Sequence, residues 1–234
     1  KELSSEILRQ GVNHLFFTGS YKTAQHLHSI CSKNLISTTF ELGGKSPLII
    51  DKDSNLKIAA KRVCLGKFIN CGQTCIAPDY LFVHKEVKEE FINLLKENII
   101  SFFGTEAYKS ENYGRIINQR QFLRIKSLLS QGEIIFGGKH DERNNYISPT
   151  LIKPYELNNS LMQDEIFGPI LPILEFENFE SVIEYINKRP RPLALYYFGN
   201  KNINIIKRTT SGGACINDAI MHIIPHNLPF GGIG

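Results

Sequence analysis

The sequence predicts an α/β fold, a parallel-rich open sheet flanked by helices. Three observations carry this. Short apolar runs alternate with longer segments of helical spacing, and Gly, Pro, Asn and Asp punctuate the joins. The first block runs strand, turn, helix, strand over residues 14–40, the order that builds parallel pairs and places ligands at strand carboxyl ends. No internal repeat, low-complexity tract or linker interrupts the alternation.

Taken in order, residues 2–10 have helical spacing, and His14–Phe17 is an apolar run between Gly11 and Thr18-Gly19-Ser20, read as a buried strand ending in a turn. Tyr21–Ser32 is a helix, with Ala24, Leu27, His28 and Cys31 at its spacing, and Leu35–Phe40 is the next strand. Pro47–Ile50 is a strand, and Asp53-Ser54-Asn55 caps a helix over Leu56–Phe68. After a Gly-Gln-Thr loop, Tyr80–Val83 is a strand and Val87–Phe103 a long amphipathic helix. Gln119–Leu129 is a helix, Glu133–Phe136 a strand, and Gly137-Gly138 a turn. Thr150–Ile152, Leu171–Phe176, Leu193–Phe198 and Gly213–Asn217 are strands, with helices at Phe179–Asn187 and Ile203–Arg208. From about Pro47 onward the chain reads as one α/β domain.

Composition removes several functions. The 234 residues are 42% hydrophobic, enough for one large domain, and the net charge of +4 is spread thinly. The densest basic spots, Lys61-Arg62, Lys188-Arg189 with Arg191, and Lys207-Arg208, are diluted by apolar neighbours, which argues against a nucleic-acid face. Five cysteines without paired spacing favour a reducing, cytoplasmic setting over a disulfide framework. No apolar run approaches the roughly 20 residues of a membrane span. The chain begins at Lys1 in helical sequence and ends on Phe230-Gly231-Gly232-Ile233-Gly234, so a fragment of a longer protein is expected.

The stretch richest in chemistry is Lys67-Phe68-Ile69-Asn70-Cys71-Gly72-Gln73-Thr74-Cys75-Ile76-Ala77-Pro78. Gly72 permits a sharp turn and Pro78 blocks a new helix, so Cys75 is held on a loop where its thiolate could act as a nucleophile. The alternative is a small apolar filler, since free cysteine is often buried. Glu41, read as following a strand and preceding Gly43-Gly44, could deprotonate a thiol or activate water, or could simply face solvent. Gly44-Lys45-Ser46 resembles the end of a phosphate loop, but Thr39 stands where that motif needs glycine. Glu165 and Phe167, before Gly168-Pro169, could hold ribose hydroxyls and an aromatic ring, or form an ordinary acidic loop. No metal site is expected. His222 and His226 are separated by Pro225, which breaks the helix they would need, and Cys71 and Cys75 have no second cysteine pair of zinc spacing. A disulfide between Cys71 and Cys75 is a weaker option, and no Gly-x-Gly-x-x-Gly follows a strand.

Glu41-Leu42-Gly43-Gly44-Lys45-Ser46-Pro47, Gly72-Gln73-Thr74-Cys75, Glu165-Ile166-Phe167-Gly168-Pro169 and Pro229-Phe230-Gly231-Gly232 together resemble the aldehyde dehydrogenase superfamily, in order and spacing. The runs Gly72-Gln73-Thr74-Cys75-Ile76-Ala77-Pro78-Asp79-Tyr80, Tyr113-Gly114-Arg115-Ile116-Ile117 and Pro192-Leu193-Ala194-Leu195-Tyr196 resemble its class 3 branch, which includes fatty aldehyde dehydrogenases. The resemblance implies that residues 1–43 are the last strand-helix-strand of a Rossmann-like NAD(P)-binding domain and residues 44–234 the catalytic domain. It implies oxidation of aldehydes, of medium or long chain or aromatic, with NAD or NADP as hydride acceptor. Cys75 would form a hemithioacetal and then a thioester, its amide would stabilise the oxyanion, and Glu41 would activate the hydrolytic water, with Glu165 sharing work near the site. Otherwise Glu165 and Phe167 would hold the nicotinamide-side ribose, Gly19 and Ser20 would lie near the cofactor phosphates and nicotinamide, and Leu42 would also contact the cofactor.

Family members carry a longer amino-terminal region, with an asparagine that completes the oxyanion hole, and a carboxyl-terminal strand that pairs subunits. Neither is in these residues, nor is a tail that could touch a membrane. The full-length form is expected to be a homodimer, and this chain alone is expected not to oxidise aldehydes. Two other functions stay open: a catalytically inactive interaction module, and a cofactor-independent thiol esterase or acyltransferase using Cys75 and Glu41.

Overall fold

A computed structural model describes residues 2–233, which divide after Gly43 into two compact units. The first contains α1 (Glu2–Arg9), β1 (His14–Gly19), α2 (Tyr21–Lys33) and β2 (Ser37–Leu42). β1 and β2 pair in parallel, with Thr18 opposite Glu41 and Gly19 opposite Leu42. Leu8, Leu27, Cys31 and Ile36 form its small core.

The second unit contains β3 (Pro47–Ile50), α3 (Leu56–Phe68), β4 (Tyr80–His84), α4 (Lys88–Phe103), α5 (Gln119–Leu128), β5 (Gly132–Phe136), β6 (His140–Asp141), β7 (Tyr146–Ile147) and β8 (Thr150–Pro154). It continues with α6 (Ser160–Gln163), β9 (Ile170–Phe176), α7 (Phe179–Asn187), β10 (Ala194–Phe198), α8 (Ile205–Arg208) and β11 (Gly213–Ile216). Seven strands form one sheet in the order β11-β10-β3-β4-β9-β8-β5, and every neighbouring pair is parallel except β8 with β5.

Each face of this sheet has its own core, because side chains alternate across a strand. Leu48 and Ile50 of β3 join Val63 of α3, Phe91 and Leu95 of α4 and Phe122 of α5 on one face. Ile49 joins Phe82, Leu174, Tyr197 and, from α7, Val182 and Ile183 on the other. That two-sided cover explains why β3 reads as an unbroken apolar run and is buried throughout. The N-cap of α3 is Asn55, whose side chain accepts from the Ile58 amide at 3.2 Å. Among the described residues no helix is long and apolar enough to cross a membrane.

Several expected bounds shift for local reasons. β2 begins at Ser37 rather than Leu35, because the chain leaving α2 first closes a turn: Leu35 has φ +54° and the Ile36 amide donates to the Cys31 carbonyl at 3.0 Å. β2 also continues to Leu42, paired with Gly19, so Glu41 lies inside the strand rather than after it. α8 starts at Ile205 rather than Ile203, following a turn in which the Ile205 amide reaches the Asn202 carbonyl. The hairpin of β6 and β7 and the short α6 carry no periodic signal long enough to be read from sequence. That hairpin turns the chain back, which makes β5 an antiparallel edge strand.

Candidate active site

In the second unit the motif residues gather where the chain enters the strands, at the amino edge of the sheet. Lys45 and Ser46 lead into β3, Cys75 and Asp79 into β4, and Glu165, Phe167 and Gly168 into β9. The parallel register sets Pro47 beside Tyr80, so the segments before them run side by side, and the Asp79 amide donates to the Ser46 carbonyl at 2.8 Å.

The Cys75 loop is built by backbone geometry. α3 stops at Phe68, and Asn70, Cys71 and Gly72 then adopt φ of +51°, +57° and +71°. Three successive left-handed residues reverse the chain sharply, a conformation that glycine tolerates and asparagine visits more readily than most. The Ala77 amide then donates to the Thr74 carbonyl at 3.0 Å, making Cys75 the second residue of a Thr74–Ala77 turn. Gln73 locks the approach. Its Nε2 donates to the carbonyls of Asn70 (3.1 Å) and Arg115 (3.0 Å), and its Oε1 accepts from the Ile117 amide (2.9 Å). All five cysteines are thiols; Cys31, Cys64, Cys71 and Cys215 are buried, and Cys75 is half-buried. Burial pushes the Cys64 thiol up to about 12 and the Cys71 thiol to about 11, although Tyr113, hydrogen-bonded to Cys71, partly opposes the latter.

Two residues supply polar support that the sequence reading did not assign to them. Tyr196 in β10 is fully buried, and its hydroxyl donates to the Ile76 carbonyl at 2.6 Å. Tyr196→Phe removes that donor while keeping the ring, so stability is expected to fall by about 1–2 kcal/mol, read as a lower urea midpoint. An unchanged midpoint would mean that water replaces the hydroxyl at no cost. The second residue is Lys45, whose Nζ meets Asp79 at 2.5 Å and the carbonyls of Leu161 (2.8 Å) and Asp164 (3.0 Å). Asp79 uses its other oxygen to accept from the Ile166 amide at 3.0 Å. Alternating apolar patterns carry no signal for such long-range polar bonds.

The Glu165 loop is held by cations reaching for its backbone. Arg124 donates to the carbonyls of Glu165 (3.3 Å) and Ile166 (2.6 Å), and Arg189 donates to those of Met162 and Leu157. Glu165 itself is half-buried. Loss of solvent, then the nearby Asp79 charge, raise its carboxyl to about 7, while the Gly44 amide, Arg124 and Lys67 act in the opposite direction. Phe167 has φ +48° and its ring is exposed. The Glu165 and Cys75 loops touch: a side-chain carbon at Gly72 would overlap the Gly168 carbonyl and lie 3.1 Å from the Lys67 carbonyl oxygen.

Within the first unit, Gly19 ends β1, Ser20 is the N-cap position of α2, and Glu41 and Leu42 end β2. The parallel register brings Gly19 beside Leu42, so these residues share the carboxyl edge of that small sheet. Ser20 Oγ lies 3.0 Å from Thr23 Oγ1. Of the two histidines considered for a metal, His222 is buried with Nδ1 3.4 Å from the Cys215 sulfur, and His226 is exposed. Among the described residues no group of three or more His, Cys, Asp or Glu side chains could hold a metal ion.

A 4,4'-diaponeurosporen-aldehyde dehydrogenase of Staphylococcus aureus is 42% identical over 238 residues, a match spanning 100% of this chain and 52% of that protein. Aldehyde dehydrogenase family 3 member A2 of Rattus norvegicus is 45% identical over 237 residues, spanning 100% and 49%. The substrate-bound structure of Staphylococcus aureus AldH superposes with a TM-score of 0.95 at 42% identity, over 100% of this chain and 52% of that one. A more distant NAD-dependent aldehyde dehydrogenase from Sinorhizobium meliloti gives 0.83 at 25% identity, over 92% and 46%. The chain thus spans about half the length of the relatives it matches. With the aldehyde dehydrogenase family pattern matching residues 1–234 as well, the chain belongs to that family.

Proposed function

We propose that this chain supplies the catalytic half of an NAD(P)-dependent aldehyde dehydrogenase acting on medium- or long-chain or aromatic aldehydes. The observation that carries the proposal is Cys75: of five thiols it is the one that is not buried, and it stands on a turn in contact with the support of the Glu165 loop. In this reading residues 1–43 are the end of the cofactor-binding domain and residues 44–234 the catalytic domain. The whole enzyme works as a homodimer, and its thiols suit a reducing compartment such as the cytoplasm.

The Cys75 sulfur adds to the aldehyde carbon, and the carbonyl π electrons move to oxygen, where the Cys75 amide helps to hold the developing charge. Loss of hydride leaves a thioester on Cys75. Glu41 takes a proton from water, which attacks the thioester carbon, expels the Cys75 thiolate and yields the carboxylic acid. A half-buried carboxylate beside an exposed ring fits a ribose and a planar base, so Glu165 and Phe167 hold the nicotinamide side of the cofactor, with Gly19, Ser20 and Leu42 contributing elsewhere. The dinucleotide, when bound, supplies the hydride acceptor.

The test is acylation by an activated ester, followed by peptide mapping. An adduct on Cys75 is expected, with hydrolysis slowed about a hundredfold or more in Glu41→Gln. Label spread over the buried thiols, or no adduct, would overturn the proposal. Repeated ester turnover with no response to NAD or NADP in dinucleotide-binding measurements would instead favour a thiol esterase.

A further inference from the structure

Glu165 lies between two peptide groups, and one buried ion pair holds both of them. Lys45 Nζ meets an Asp79 carboxylate oxygen at 2.5 Å, with the two side chains only 8% and 3% exposed. The same ammonium donates to the Asp164 carbonyl at 3.0 Å, in the peptide before Glu165, and to the Leu161 carbonyl at 2.8 Å. The second Asp79 oxygen accepts from the Ile166 amide at 3.0 Å, in the peptide after Glu165. Peptide groups are planar, so fixing the two that flank a residue leaves its φ and ψ little freedom. Lys45 thereby uses all three donors of an ammonium and Asp79 both of its oxygens, the condition under which a buried pair is not a liability. Glu165 needs this support because α6 ends at Gln163 and β9 begins at Ile170, so no regular ladder holds it. Arg124 also reaches the Glu165 and Ile166 carbonyls, but from α5. Asp79 stands four residues after Cys75, so it is the Lys45–Asp79 pair that ties the Glu165 backbone to the segment carrying the thiol.

We propose that Lys45 and Asp79 are positioning residues for Glu165: the buried pair fixes the Glu165 backbone against the Cys75 segment, and so sets where the Glu165 carboxylate starts. Neither side chain has to touch substrate or cofactor for this. A loop that is already ordered costs less to use in binding than one that must be ordered by the ligand, so the pair raises affinity for whatever Glu165 holds. That consequence rests on the reading of Glu165 as the group that holds the nicotinamide-side ribose; the pinning of its backbone does not.

The test is backbone nitrogen-15 relaxation of the chain and of Lys45→Met. Order parameters at Glu165 and Ile166 are expected to fall from about 0.85 to about 0.6 or lower in the variant, while those of α4 hold. A general loss of stability does not move the order parameters of the folded state, so it would not imitate this result. Lys45→Arg keeps a cation for Asp79 and is expected to restore the order. Unchanged order at Glu165 and Ile166 in Lys45→Met overturns the proposal. Should that variant fail to fold, Lys45→Met combined with Asp79→Leu removes both charges, which costs less than leaving one buried alone, and the same loss of order is expected there. Order retained in the double variant overturns the proposal. Binding of nicotinamide mononucleotide reads the consequence, with affinity expected to weaken about tenfold in Lys45→Met. Equal affinity in both chains overturns the positioning role. If the original chain does not bind this probe, the ribose reading falls, and the order parameters still decide the pair.

Discussion

Cys75→Ala is expected to lower the rate of acylation by an activated ester at least a hundredfold, while alanine at Cys31, Cys64, Cys71 or Cys215 changes it by about twofold or less. The reacting species is the thiolate, so both access and acidity select the site. A thiol of ordinary acidity is about one-tenth thiolate at pH 7.5, and one raised to about 11 is ionised a few hundred times less. Cys71 and Cys64 are thus disfavoured by charge as well as by burial. Raising the pH toward 9 increases their thiolate fractions in proportion but leaves them small. Peptide mapping of the acylated chain reads the result, and substantial label at Cys64 or Cys71 at pH 7.5 would contradict it.

Gly72→Ala is expected to cost about 2–5 kcal/mol and to depress Cys75 acylation with it. Two penalties combine. A side chain at φ +71° pays about 1–2 kcal/mol for the left-handed backbone. The added carbon also overlaps the Gly168 carbonyl, and backbone atoms cannot rotate away as a flexible side chain could. Gly168 is itself confined, because a carbon built on it would lie 2.7 Å from the Ile125 side chain. Gly232→Ala is the control: no atom lies within 4 Å of its added carbon, so its stability should stay within about 0.5 kcal/mol. Urea unfolding of both variants decides the matter, and a Gly72→Ala midpoint as high as the control's would show that the loops separate at little cost.

Local order determined much of what could be read in advance. The strand Pro47–Ile50 and the helices Leu56–Phe68 and Phe179–Asn187 have the bounds their periodicity and flanking Asn, Asp and Gly residues predict. Those signals lie within a few residues of the elements they define. The Cys75 loop was legible for the same reason, since a glycine three residues before it and a proline three residues after it act on the backbone directly. The family could be read as well, because its motifs are short contiguous strings.

Tertiary structure alone decided the rest. Periodicity does not say which strand lies beside which, so the antiparallel edge pair β5–β8 and the gathering of the second unit's motifs at the amino edge of its sheet came only with the fold. Tyr196 looked like one more apolar strand residue, yet 120 positions separate it from the carbonyl it holds. Lys67 carries no sequence signal of burial, and its side chain is buried completely. Burial and the charges that surround a group are set by what other segments bring to it. The sequence by itself determined most of the longer elements, the glycine- and proline-bounded Cys75 loop and the family, while the polar support beneath that loop and the state of its buried charges depended on contacts that form only once the chain is folded.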